Sequence, residues 1–305
     1  MLDNLDFLRR FAAVAEHGTI HRAAEVVGIS QPALTRSIKL LEEQVGAALF
    51  ERRSRGVHLT PLGERVLAQA RHLIRESQLA ETEILSYREG EQGTFRISAA
   101  PVWMTAILPQ VVAQLHRQFP SLAIQLEAAN YSEALPKLAN AECDAFFGGF
   151  QRIEALQSFL VRRPLFHSHL QILVRKGHPI FFHDGITPDH LLEYQWVSFQ
   201  SDGAYLDAAR QAVQARTGKS ITAAVQCDSM LTALELLRQG DYLALLPSSF
   251  LFSTYGDGLT AVHSGLDTIV FESGPIFRRS LLSNSAFTRL LELAENRAKV
   301  LGLLS

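Results

Sequence analysis

A chain of 305 residues is long enough for two or three domains, and 47% hydrophobic with 20% charged residues supports a packed globular core. The formal net charge of -2 excludes bulk electrostatic attraction to nucleic acid, so a local basic patch has to carry any DNA contact. No run reaches the roughly 18 apolar residues of a membrane span, and Asp3, Asp6, Arg9 and Arg10 interrupt the opening segment, so no membrane partner and no export signal is expected and the location is read as cytoplasmic.

The first sixty residues read as helices. Leu5, Leu8, Phe11, Ala12 and Ala15 recur at helical spacing, and Gly18 closes that segment. A short second helix is predicted over 20–27, and Gly28 supplies the tight turn after it, because glycine reaches positive φ without steric cost. Ser30 is a good cap and Pro32 sits in the first turn of a third helix predicted over 31–45, which Gly46 ends. Helix, glycine turn, capped helix is the helix-turn-helix arrangement. On the third helix Leu34, Ile38, Leu41 and Val45 form the stripe that must pack inward. The opposite face carries Pro32, Thr35, Arg36, Lys39 and Glu43, with Gln31 at its leading edge. Gln pairs with adenine, Arg with guanine, and Thr touches a thymine methyl, which makes this face a candidate DNA reader. The plainer alternative is an ordinary solvated face.

Residues 48–53 and 57–60 read as two short strands around Ser54-Arg55-Gly56, with Arg52, Arg53 and Arg55 at the tip. A basic hairpin directly after a helix-turn-helix is a wing, placed to touch phosphates. Residues 31–60 hold five Lys/Arg against Glu42, Glu43 and Glu51, so tight DNA binding needs more than one copy of the chain. Thr60-Pro61 starts a helix that runs without a breaker to about residue 88, with Gly90 beyond it. Val66, Ala70, Leu73, Ser77, Ala80, Ile84 and Tyr87 alternate spacings of four and three along it, a heptad seam. Packing on its own domain is the competing account. The helix length, and the need of a paired DNA reader for a partner, favour a dimerisation helix.

The run from Phe11 to Leu67, and within it HRAAEVVGISQPALTRSIKLLEEQVGAALFERRSRGVHLTPLGERVL, resembles the LysR-type transcriptional regulators. The resemblance implies a homodimer, or a dimer of dimers forming a homotetramer, on a partly palindromic double-stranded DNA operator. It places Gln31, Pro32, Thr35 and Arg36 toward bases, Arg52 and Arg53 toward the backbone, and Thr19 and Ser30 at phosphates.

From Phe95 onward strand-like runs alternate with helical ones, which predicts α/β architecture. Strands are expected over 96–100, 122–128, 143–149, 170–175, 196–200, 221–227 and 242–247. Helices are expected from the end of the 96–100 strand to Phe119 and over 133–139, 204–217, 229–239 and 284–300. Leu108-Pro109, Cys143-Asp144-Ala145, His178-Pro179 and Leu245-Leu246-Pro247 extend the likeness to the effector domain of the same family, which is similar to a type 2 periplasmic binding protein. The organisation implied is a winged helix-turn-helix over 1–60, a linker helix over 61–89 and an effector domain over 90–305. The last would hold two Rossmann-like subdomains, about 93–163 with 268–305 and about 164–267, with a small-molecule effector in the cleft between them. Open α/β sheets bind ligands beyond the carboxyl ends of strands. Those ends nominate Pro101, Val102, Trp103, Asn130, Gly149, Ser201, Asp202 and Ser229. Relatives often place Ser or Thr where this chain has Pro101 and Val102, a departure that counts against simple carboxylate binding. With Asp202 the only ionised candidate, the ligand is expected to be neutral or partly charged. For each position a turn residue, or for Trp103 a core residue, is the plainer role.

An enzyme is not expected, because no GxSxG, HExxH or Walker sequence is present. His167 and His169 would share one face of a strand near His178, His183 and His190, but no cysteine or second compact pair joins them, so neither a metal site nor a cofactor is expected. Cys143 and Cys227 fall in different subdomains and read as small buried side chains rather than a redox pair. A solute-binding protein would account for the C-terminal part but not for residues 1–60.

Overall fold

The structure, a computed structural model, describes residues 4–53, 56–89, 93–150, 156–199, 203–266 and 269–303. The chain divides into two compact units, one of residues 1–93 with 135–144, the other of residues 94–134 with 145–305.

In the first unit, helices α1 (Leu5–His17), α2 (Ile20–Val27) and α3 (Gln31–Val45) precede a hairpin of β1 (Phe50–Arg53) and β2 (Gly56–Leu59), and α4 (Pro61–Glu89) follows. Asn4, Thr19 and Ser30 cap the three short helices, each accepting backbone N–H groups of the first turn that have no partner inside the helix. Leu8, Phe11, Val14, Leu34, Ile38 and Leu41 form the core, with Phe11 and Phe50 ring centroids 5.2 Å apart. Val66, Leu67 and Ala70 of α4 belong to the same core, and Leu73 packs against it. The heptad seam is therefore divided. Its first half is used within the domain, as the competing account had it, and beyond it Ser77 is half-buried and Ala80 exposed. The side chains of Ile84 and Tyr87 lie outside the described residues. Further along α4, Arg75 grips the fully buried Asp144 with two hydrogen bonds, Nε to Oδ1 at 2.7 Å and Nη2 to Oδ2 at 2.5 Å.

The second unit is built on a ten-stranded mixed sheet. On one side, β4 (Leu122–Ala128), β3 (Gly93–Ala99) and β5 (Ala145–Phe150) lie side by side, with α5 (Leu108–Gln118) and α9 (Ser285–Val300) as the associated helices; α6 (Tyr131–Ala139) starts in this unit, and its residues from Leu135 belong to the first. On the other side, β10 (Tyr242–Pro247), β8 (Gln195–Phe199) and β9 (Ala223–Cys227) are parallel neighbours, accompanied by α7 (Gly203–Thr217) and α8 (Met230–Gln239). Two ten-residue strands join these halves: β7 (Phe166–Arg175) and β12 (Ile269–Arg278). Each changes partner half-way. The first half of β12 pairs with β7 and its second half with β5, whereas β7 turns from β12 to β10 at Leu170. Short strands β6 (Leu160–Arg162) and β11 (Leu259–Val262) flank β12 and β7. Both lobes of this α/β unit thus hang on one antiparallel pair.

Strands β6 and β11 were not expected, whereas β7 and β12 lie at the two boundaries where the family resemblance implied strands crossing between the subdomains. Gly274-Pro275 lies inside the continuous β12, although Pro cannot donate to a ladder. In the fold this pair sits where the outer neighbour of β12 changes from β7 to β6, and a Cβ on Gly274 would meet Arg163 O at 2.2 Å. The helix expected to run to Phe119 takes a π turn over Trp103–Ile107, with the Leu108 N–H reaching back to Trp103 O. Pro109 lacks the N–H that would continue an α-helical ladder there. No helix among the described residues is long and apolar enough to cross a membrane.

Candidate nucleic-acid interface and ligand pocket

Helix α3 buries Leu34, Ser37, Ile38 and Leu41 and exposes Gln31, Pro32, Thr35, Arg36, Lys39 and Glu43. The six share one solvent face because the buried four fix the rotation of the helix. Arg36 makes no hydrogen bond or ion pair among the described residues, and the Lys39–Glu43 pair is 3.9 Å apart and largely exposed, so both cations remain available. Gln31 Nε2 lies 2.5 Å from His21 Nδ1, so the leading edge of the face is set by a contact with α2. Thr19 and Ser30 are exposed caps whose hydroxyls accept from Arg22 N at 3.3 Å and Ala33 N at 3.4 Å. Each stands at a helix N-terminus, where the dipole favours an anion.

The hairpin is fastened from three sides. Val57 N donates to Gly18 O at 2.9 Å, and Gly56 adopts φ +119 with its missing Cβ only 2.4 Å from that same oxygen. Any side chain at Gly56 would push the hairpin off the turn between α1 and α2. Glu42 Oε1 accepts from Leu49 N at 2.7 Å and Phe50 N at 3.2 Å, and Thr60 Oγ1 donates to Ala48 O at 3.0 Å. Glu42 was counted from the sequence as a charge opposing DNA; here its carboxylate holds the root of the wing. Arg52 and Arg53 lie in β1 with side chains outside the described residues, as does the whole of Arg55.

In the second unit a small cavity opens at the end of β3, bounded on the far side by the end of β10 and crossed by β7 and β12. Pro101, Val102, Trp103 and Gly149 line it. Trp103 is buried against Phe147 at 5.1 Å and Phe166 at 5.6 Å, and its Nε1 donates to Ser273 Oγ at 3.0 Å. Ser273 in turn donates to Gly148 O at 3.1 Å, and the Ser168 and Ser249 hydroxyls lie 3.3 Å apart. A Cβ on Gly149 would enter the Phe271 ring at 2.4 Å, so glycine lets that ring form the wall. Asn130 and Ser229 are not brought to this cavity. Asn130 Oδ1 accepts from Glu133 N at 3.0 Å, and Ser229 Oγ accepts from Thr232 N at 3.3 Å, each capping a helix. Ser201 and Asp202 lie outside the described residues. Sequence reasoning missed Phe166, Ser168, Ser249, Phe271 and Ser273. Only the alternation Phe166, Ser168, Leu170 was a usable signal, and it requires knowing that β7 starts at Phe166.

A family model for the bacterial regulatory helix-turn-helix protein of the lysR family matches residues 5–64, and one for the LysR substrate binding domain matches residues 88–299. The chain belongs to the LysR family of transcriptional regulators. It is 31% identical over 245 residues to the HTH-type transcriptional regulator YdcI of Escherichia coli K12, covering 80% of this chain and 79% of that protein. Full-length CbnR complexed with its target DNA aligns with TM-score 0.61 at 19% identity, over 95% of this chain and 99% of that one. Full-length LysG of Corynebacterium glutamicum with bound effector Arg aligns with TM-score 0.70 at 16% identity, over 97% and 98%.

The five histidines between residues 167 and 190 of this LysR-type regulator separate into three environments. His167 and His169 are exposed on one face of β7. His178 is fully buried beside Tyr194, its Nδ1 accepting from Ile180 N at 3.0 Å, and burial pushes its pKa below the ordinary value against a partial opposing effect of Asp241. His183 and His190 stack with centroids 3.9 Å apart. Desolvation raises the Cys227 thiol, which leaves it a poor nucleophile, and Cys143 is buried.

Proposed function

We propose that this regulator acts in the cytoplasm as a homodimer or homotetramer that reads duplex DNA and catalyses no reaction. Gln31, Pro32, Thr35 and Arg36 approach base edges, while Lys39, the wing arginines Arg52, Arg53 and Arg55, and the caps Thr19 and Ser30 approach phosphates. The exposed α3 face supports this reading, as does the CbnR structure solved with its target DNA. The domains take the roles of reader (1–60), linker and dimerisation helix (61–89) and effector domain (90–305).

The effector binds between the two lobes, beside Pro101, Val102, Trp103 and Gly149, and Ser201 and Asp202 stay candidates on the sequence alone. One observation carries its chemistry: no described residue lining the cavity is ionised, and three serine hydroxyls and an indole supply its side-chain polar groups together with Tyr205. A compact neutral ligand with an aromatic or aliphatic body fits such walls. Because a ligand that binds only the folded state raises stability by about 2.7 kcal/mol at a hundredfold excess over Kd, a thermal-shift screen of the full chain tests the class. Neutral aromatic and aliphatic metabolites should raise the melting temperature. Ala100→Phe, which narrows the cavity, should abolish the shift and leave DNA affinity intact. Stabilisation confined to strongly anionic ligands, or unchanged in Ala100→Phe, refutes the assignment.

A further inference from the structure

Among the described residues, one group of three metal-ligating side chains converges: His183, His190 and Glu193, whose ligand atoms all lie within 4.8 Å of one another. The histidines were visible in the sequence as scattered members of a histidine-rich stretch. What assembles them is a pair of one-turn helices, Pro179–Phe182 and Pro188–Leu192. Each turn is anchored in the lobe core by one apolar residue, Ile180 and Leu191, both fully buried. His178 Nδ1 holds the first turn through Ile180 N, and the Trp196 indole N–H donates to Leu191 O at 3.1 Å to hold the second. The scaffold is therefore rigid, and it presents His183 and His190 stacked at an interplanar angle of 12°, with Glu193 Oε2 at 3.5 Å from His183 Nε2.

The geometry points to a divalent transition-metal site at His183, His190 and Glu193 that clips the two turns together. Two imidazoles and a carboxylate, with one position left to water, are a donor set that suits Zn(II). Bonds of about 2.1 Å require two ligand atoms on one ion to lie no more than about 4.2 Å apart. The present spread is at most 4.8 Å, so side-chain rotation that unstacks the two rings has to bring the ligand atoms onto the ion. Ligation through His190 Nε2 places the ring proton on Nδ1. Thr187 Oγ1, at 3.3 Å, then accepts it, in exchange for the bond that Thr187 N now donates to Nδ1 at 3.1 Å. An oxygen that accepts the remote ring proton is what orients a metal-bound histidine. His167 and His169, on β7, take no part.

The test is calorimetric titration of Zn(II) into the tag-free full chain, stripped with chelator, at pH 7.5. Co(II) absorption reports the coordination number. One ion per protomer is expected, with a rise in melting temperature, and His183→Gln and His190→Gln should each weaken binding roughly tenfold or more. Glutamine at 190 keeps an acceptor for Thr187 N, so the loop retains its cap. Glu193→Gln touches neither the cap nor the stack and must also lower the affinity; it decides the matter where the histidine variants alter the metal-free melt. His167→Gln with His169→Gln should bind as the parent does. No saturable Zn(II) binding, or binding that survives the substitutions at His183, His190 and Glu193, overturns the site.

Discussion

Replacing Glu42 separates two roles that predict opposite signs. As one of the acidic residues near the reader, it would repel phosphates, and removing it would tighten DNA binding. As the acceptor for Leu49 N at 2.7 Å and Phe50 N at 3.2 Å, it fixes the hairpin, and removing it would loosen the wing. Hydrogen bonds to a charged group contribute about 1.5–3 kcal/mol each. The second bond here is long and both are only partly buried, so Glu42→Ala should cost about 3 kcal/mol in all. That is a large share of the roughly 5–15 kcal/mol that holds a domain together. Glu42→Gln removes the same charge but keeps an amide oxygen in place, and should cost about 1–1.5 kcal/mol. Urea unfolding gives the stabilities, hydrogen exchange at the Leu49 and Phe50 amides reports the local loss, and duplex binding is measured across salt concentrations. The expected order of stability and of DNA affinity is parent, Glu42→Gln, Glu42→Ala. A loss below about 0.5 kcal/mol in Glu42→Ala, or tighter DNA binding in both variants, would refute the structural role.

Arg36→Ala should cost roughly 1–3 kcal/mol and relax preference at one base pair, whereas Arg52→Ala should weaken all sequences alike and flatten the salt slope; selection from a randomised operator pool distinguishes them. Because Leu73 packs against the core of the first unit, an Asp there would unfold the reader, so the oligomer is tested further along α4. Ala80→Asp with Ile84→Asp should give monomers by light scattering while circular dichroism is retained, and a surviving dimer would place the interface elsewhere. His178 has a folded pKa below its unfolded value, so the unfolded state takes up the proton first. Its contribution is complete above the ordinary value of 6.5 and is lost as pH falls below it toward the depressed folded value. Melting temperature should drop between pH 7 and 5, and His178→Asn, which keeps an acceptor for Ile180 N, should flatten that drop.

The reader was legible in the amino-acid sequence because its determinants are local. Ser30 accepts from a backbone group three residues away, Gly46 ends the helix it follows, and the spacing of Leu34, Ile38 and Leu41 specifies a face with no knowledge of what covers it. Most strands and helices of the second unit were legible for the same reason, and Pro101, Val102, Trp103 and Gly149 followed from where strands end. Tertiary structure alone decided the rest. Ser273 reaches Trp103 across 170 residues of chain, and Phe166, Ser249 and Phe271 join them from elements that no local pattern connects. Pro275 is tolerated inside β12 because the neighbouring strand changes from β7 to β6 beside it. The seam of α4 has one period throughout, yet Val66 and Ala70 face their own core while Ala80 is exposed, although Arg9 of α1 reaches as far as Glu81. Periodicity states that a face is apolar; which surface meets it depends on contacts between residues far apart in sequence, and those exist only once the chain has folded.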